Sequence, residues 1–150
     1  MTQPSPSAVK PTAAFVGASW TVLLLGVVSF AAGLWNATMT ASEKGFYGAV
    51  LVLGLFAAVS LQKAVRDRTE GLPVSALYLG LSWSVVGLAA IMLAVGLWNS
   101  GMALSEKGFY GLAFAMTMFA AVAVQKNVRD MMQYRAPSHV APAPAAYVIR

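Results

Sequence analysis

The chain carries one pattern twice, and that repetition limits its folds more than any other feature. Ser19-Trp20, Gly33-Leu34-Trp35-Asn36, Ser42-Glu43-Lys44-Gly45-Phe46-Tyr47-Gly48 and Gln62-Lys63-Ala64-Val65-Arg66-Asp67 form the first copy. They return as Ser82-Trp83, Gly96-Leu97-Trp98-Asn99, Ser105-Glu106-Lys107-Gly108-Phe109-Tyr110-Gly111 and Gln125-Lys126-Asn127-Val128-Arg129-Asp130. The offset is 63 residues without a gap, and Gly17–Asp67 matches Gly80–Asp130 at 27 of 51 positions. Such a period makes the repeat unit, rather than the whole chain, the object to be folded.

Charge placement says where that unit folds. No charged residue occurs in the 32 positions between Lys10 and Glu43 or the 35 between Glu70 and Glu106. Lys44 to Lys63 and Lys107 to Lys126 each enclose a further 18. A membrane-spanning helix needs about 20 apolar residues, with about 17 to 25 tolerated, so all four stretches qualify. Flanking lysines lengthen the shorter two by reaching to the interface. With 59% hydrophobic and 10% charged residues, the composition is far from the roughly 25% charge of soluble domains.

The pattern predicts an all-α membrane protein of four transmembrane helices near 13–36, 44–63, 75–99 and 107–126. These form two tandem helical hairpins, 13–67 and 75–130, joined by a linker at 68–74. Tails at 1–12 and 131–150 are rich in Pro, Ala and Ser, and are expected to be disordered. The first stretch is too long for a signal-peptide core of about 7–15 residues, and its second copy cannot be cleaved off. Lys10, Lys63, Arg66, Arg68, Lys126, Arg129, Arg135 and Arg150 lie on one side of the predicted spans, against Lys44 and Lys107 on the other. Eight against two puts both termini in the cytoplasm. Two spans per unit insert both copies in the same sense, so a pseudo-two-fold axis along the membrane normal is expected.

Each repeated motif has a structural and a functional reading. In the outward turn, Ser42 and Ser105 suit N-caps, Glu43 and Glu106 suit the first helical turn, and Gly45 and Gly108 allow close backbone approach. Phe46, Tyr47, Phe109 and Tyr110 are expected in an interfacial aromatic belt facing Trp35 and Trp98. The functional alternative joins Glu43 and Glu106 with Asn36 and Asn99, flanked by Lys44 and Lys107, in an external ion or ligand site. In the inward motif, Lys63 with Asp67 and Lys126 with Asp130 stand four residues apart and suit surface ion pairs. Alternatively, Lys63, Arg66, Lys126 and Arg129 contact anionic lipid headgroups. Small residues four apart (Ser29 and Gly33, Gly54 and Ala58, Gly80 and Ser84, Ala113 and Thr117) suit close helix packing.

The charge pattern also excludes function classes. No charged residue lies within the predicted spans, so an intramembrane proton relay has no residues to use. There is no cysteine, and the single histidine, His139, stands in the predicted C-terminal tail. Met92, Met116 and Met118 read as packing residues without His or Cys beside them. No metal, cofactor, nucleophile–base pair or nucleic-acid stripe is expected.

The Gly-x-Trp-Asn, Glu-Lys-Gly-Phe-Tyr and Gln-Lys-x-x-Arg-Asp signature, carried from Gly33 to Asp67 and again from Gly96 to Asp130, resembles the bacterial yiaA/yiaB two-helix domain family. The resemblance implies an integral inner-membrane protein built of two-helix units and carries over no catalytic or binding residues. The expected function is non-catalytic action by association in the bilayer, as a homo-oligomer or as an accessory subunit of a larger membrane complex. Its alternatives are a small channel or transporter, in which an oligomer encloses a polar path lined by Asn36, Thr38, Asn99 and Thr117, and a protein that binds anionic lipid.

Overall fold

In the computed structural model, residues 11–135 are described. They form four helices, α1 (Ala13–Asn36), α2 (Ala41–Thr69), α3 (Ala76–Asn99) and α4 (Leu104–Arg135), with no strand among the described residues. Each is long and apolar enough to cross a membrane. Thr12 caps α1, its hydroxyl accepting from the Phe15 N–H at 3.3 Å, and Ser75 caps α3 through the Tyr78 N–H at 3.1 Å.

α2 and α4 run well past the uncharged stretches that foretold them. α2 continues to Thr69, into the expected linker, and α4 continues to Arg135, beyond the position where a disordered tail was expected. The charged segment after the apolar run is itself helical, laced by neighbouring Arg–Asp and Lys–Asp contacts. α2 ends where Gly71 adopts φ +76°. The Leu72 N–H reaches the Asp67 carbonyl at 2.9 Å and the Gly71 N–H reaches Arg68 at 3.2 Å. That is a Schellman ending, which needs a left-handed residue and favours glycine there. His139 and the remaining tail positions lie outside the described residues.

The helices of one repeat scarcely pack on each other. α1 packs on α4 and α3 packs on α2, while α2 and α4 meet at the centre. Across the bundle the order is therefore α1, α4, α2, α3. Each two-helix unit is an open fork that holds a helix of the other unit between its prongs. Ser19 meets Asn127, Gly26 meets Thr117 and Gly33 meets Phe109, so α1 and α4 run antiparallel.

The same repeat positions are buried in both copies. α1 buries Ser19, Gly26 and Phe30, and α3 buries Ser82, Ala89 and Leu93, each 63 residues later. Tyr47, Val50, Leu51, Ala57 and Ala58 of α2 have buried counterparts in Tyr110, Ala113, Phe114, Ala120 and Ala121 of α4. Apolar surface gains nothing by leaving lipid, so the seams depend on close van der Waals fit. Small residues provide it at Gly26, Gly33, Gly54 and Gly96, where an added Cβ would run into a side chain of a neighbouring helix. Gly80 and Ser84 do not join a seam: Gly80 has open space and Ser84 is exposed. They lie on the face of α3 turned away from its Ser82–Ala89–Leu93 stripe.

Candidate functional site

At the end of the bundle that carries the two short connections, the repeated Ser-Glu-Lys-Gly-Phe-Tyr motif closes both forks. Thr40, not Ser42, is the N-cap of α2. Its hydroxyl accepts from the Glu43 N–H at 3.3 Å, while Glu43 Oε2 accepts from the Thr40 N–H at 2.8 Å, a complete capping box. Ser42 falls inside the first turn, so its hydroxyl is past the cap. In the second copy Ala103 stands in Thr40's place. Only half the box remains, the Ala103 N–H donating to Glu106 Oε2 at 2.8 Å.

The lysine that follows each glutamate binds the preceding helix instead. Lys44 Nζ donates to the Trp35 carbonyl at 3.0 Å, and Lys107 Nζ to the Trp98 carbonyl at 3.4 Å. A cation at a helix C-terminus satisfies carbonyls that have no intrahelical partner. Each Glu-Lys pair therefore joins the end of one helix to the start of the next.

The aromatic pairs cross between repeats. Phe46 seats over Gly96, where an added Cβ would come within 2.6 Å of its ring, and Phe109 seats over Gly33, at 2.7 Å. Tyr47 and Tyr110, expected in an interfacial belt, are buried instead and stack on each other with centroids 6.1 Å apart. Phe30 meets Tyr110 edge-on at 5.3 Å. Trp35 and Trp98 do face outward, 84% and 86% exposed. The close approaches expected at Gly45 and Gly108 are absent, since both have open space around them. They occur at Gly33 and Gly96, one helix earlier.

Glu43 and Glu106 line one cleft of about 230 Å³, together with Thr38, Met39, Ser100 and Met102 of the two connections. Each spends one carboxylate oxygen on its own helix start. Asn36 and Asn99 are exposed and donate back to the carbonyls of Ala32 and Val95, both at 2.8 Å. Of the four residues expected to line a polar path within an oligomer, Thr38 borders this cleft with Glu43 and Glu106. Thr117 is fully buried against Gly26, its hydroxyl donating to the Ala113 carbonyl at 2.7 Å.

At the opposite, basic end, the two copies converge on one carboxylate. Arg66 Nε lies 3.8 Å from Glu70 Oε1, and an Arg129 guanidinium nitrogen lies 4.0 Å from the same oxygen. Arg66 also pairs with Asp67, taking the carboxylate that spacing assigned to Lys63, while Lys63 is exposed. Lys126 does pair with Asp130, at 2.8 Å. Of the four basic residues singled out in sequence, the structure brings Arg66 and Arg129 together around Glu70.

Two features of this end escaped the sequence reading. Glu70, just ahead of Gly71, was placed in a linker. Asn127, which replaces Ala64 of the first copy, is 99% buried and donates to Ser19 Oγ at 3.0 Å, while its Oδ1 has no partner. The signal for Asn127 was available: it is a polar residue in one copy where the other has alanine.

The comparisons with known proteins agree with the repeat. The family described as yiaA/B two helix domain matches residues 15–67 and again 78–130. Inner membrane protein YiaA of Escherichia coli (strain K12) is 55% identical over 117 residues, covering 78% of this chain and 81% of that protein. Uncharacterized membrane protein YubF of Bacillus subtilis (strain 168) is 38% identical over 62 residues, covering 41% of this chain and 71% of that protein. No solved structure matches.

Proposed function

This chain belongs to the yiaA/B two-helix domain family in two tandem copies, and on that premise we propose that it is a non-catalytic protein of the bacterial inner membrane that acts by association. The observation that carries this reading is how the repeated motif spends its side chains. Glu43, Lys44, Phe46 and Tyr47, with Glu106, Lys107, Phe109 and Tyr110, go into capping helices and seating one unit against the other. The unit is a device for joining two-helix forks in lipid. α1 and α3, the outer helices, leave most of their apolar surface uncovered by the chain itself, with Leu24, Val28, Leu81 and Ile91 at least half exposed. Further copies, or the helices of a larger membrane complex, are the occupants this reading assigns to those faces.

The recurrence of buried positions at the 63-residue offset supports two units related by a pseudo-two-fold along the membrane normal. The one-sided distribution of Lys and Arg supports cytoplasmic termini. The natural absence of cysteine makes the orientation easy to test. With single-cysteine variants in intact cells, a membrane-impermeant thiol reagent should label G101C and leave S7C unlabelled. The reverse pattern would overturn the orientation.

The association reading is tested by the mass and composition of the tagged full chain, extracted from native membranes in polymer discs. A discrete assembly of several copies, or stoichiometric recovery with other membrane subunits, is expected. Recovery as single chains across mild extraction conditions would refute it.

A further inference from the structure

A cavity of about 560 Å³ lies at the basic end, a groove between α3 and α4 floored by α2. Its origin is the open fork. α3 and α4 are joined at the other end by residues 100–103 and hardly touch each other. Towards their free ends they flank α2, and residues of all three helices line the groove. The walls are apolar, with Trp83 and Val86 on one side and Phe119 on the other, while Arg66 and Arg129 close the basic end. The volume falls within the roughly 300–1,000 Å³ of binding pockets.

We propose that this groove is a binding site for one anionic phospholipid, with an acyl chain along the Trp83–Phe119 trough and the phosphate between Arg66 and Arg129. The trough lies in a part of the bundle that crosses the bilayer, so hydrocarbon is the medium that fills it. The head end then decides which lipid is held. Two guanidiniums, one from each repeat, lie within 4.0 Å of one carboxylate oxygen of Glu70. Arg66 donates to Asp67 and Arg129 to Asp130, and between the two guanidiniums lies the Glu70 oxygen, in a place where the phosphate oxygen of a lipid presents the same chemistry. Guanidinium is suited to this role because its planar donors match phosphate oxygens in pairs. Glu70 is a weak occupant, 42% exposed and at long range from both arginines, at the C-cap just past the end of α2. Gln62, at the border between trough and head, donates to the Val122 carbonyl at 3.1 Å and leaves its buried Oε1 without a partner. That acceptor suits a hydroxyl or ammonium of the headgroup or glycerol.

Lys63 and Lys126 separate this site from general attraction to an anionic surface. Both are basic, near the same depth and exposed, yet neither lines the groove. The test is native mass spectrometry of the full chain released from nanodiscs of mixed zwitterionic phosphatidylcholine and anionic phosphatidylglycerol. The wild type should retain one phosphatidylglycerol far above its share of the disc. R66Q/R129Q should lower that enrichment roughly thirtyfold, the combined contribution of two basic residues at a lipid surface. E70Q should raise it by removing the carboxylate that lies between the two arginines, with Asp67 and Asp130 still paired to them. V86F, which fills the trough, should displace the bound lipid of either class while gel filtration shows the same assembly as wild type. An equal loss in K63Q/K126Q, or unchanged enrichment in R66Q/R129Q, would overturn the site. Undiminished retention in V86F would overturn the trough as its seat.

Discussion

Asn127 and Ser19 show how one position distinguishes two nearly identical seams. The equivalent place in the other half of the molecule holds Ala64 and Ser82, both buried. Ser19 does not depend on Asn127 for its own hydrogen bond, since its hydroxyl donates to the Phe15 carbonyl at 2.8 Å. Replacing Asn127 by Ala removes a buried acceptor that has no partner and loses one side-chain bond. These effects oppose each other, so N127A should change stability by less than about 1 kcal/mol in a denaturant titration of the detergent-solubilised protein. Glycines give the opposite case. A side chain at Gly33 or Gly96 meets the ring of Phe109 or Phe46, so G33L and G96L should each cost roughly 1–3 kcal/mol in the same assay. G45A, with open space and a better helix former, should gain about 0.5–1 kcal/mol. Gly33 and Gly54, marked by small-residue spacing, do pack closely, whereas Gly45 and Gly108 do not, because adjacency within the motif says nothing about which partner helix arrives opposite it.

At the scale of the helix, spans were legible and ends were not. Uninterrupted apolar runs placed all four helices, and the bounds of α1 agree with expectation because Thr12 and Asn36 coincide with the edges of its run. α2 and α4 outlast their apolar runs because a charged helical turn is stable outside the hydrocarbon. The stop signal was Gly71, seven residues beyond Ala64, where reading from charge to charge does not look. Capping follows the same logic. Thr40 belongs to the connection rather than to the repeated motif, which drew attention to Ser42. T40A should cost about 0.5–2 kcal/mol of stability, whereas S42A should leave it unchanged. A103T should add about 1 kcal/mol by completing in α4 the box that α2 already has, since Glu106 is in place to receive it. Thermal unfolding in one detergent decides all three.

For the whole molecule, the repeat announced two units, yet not that each is open. Short connections favour antiparallel neighbours in a bundle, so a closed hairpin was the natural expectation. The preference of α1 for α4 arises instead from matched small and large residues across repeats, as where Gly26 receives Thr117 and Gly33 receives Phe109. Such complementarity becomes visible only once partners are known, which is also why Tyr47 and Tyr110 read as belt residues when they belong to the buried core. The arrangement predicts that neither unit is stable alone. Residues 1–72 and 73–150 made as separate chains should co-purify as a one-to-one pair and each be degraded when expressed singly. Stable single fragments would contradict the interlock.

The interlock also imposes an order in time. While the ribosome is still making the second unit, the first sits in the bilayer with Tyr47, Val50 and Gly54 turned towards lipid instead of towards α4. A lag of 63 residues lasts about 3–13 s at 5–20 residues per second. During that interval the newborn half is competent to clasp any matching fork within reach. Neighbouring chains on one messenger offer such forks, so exchange of units between siblings competes with closure of each chain on itself.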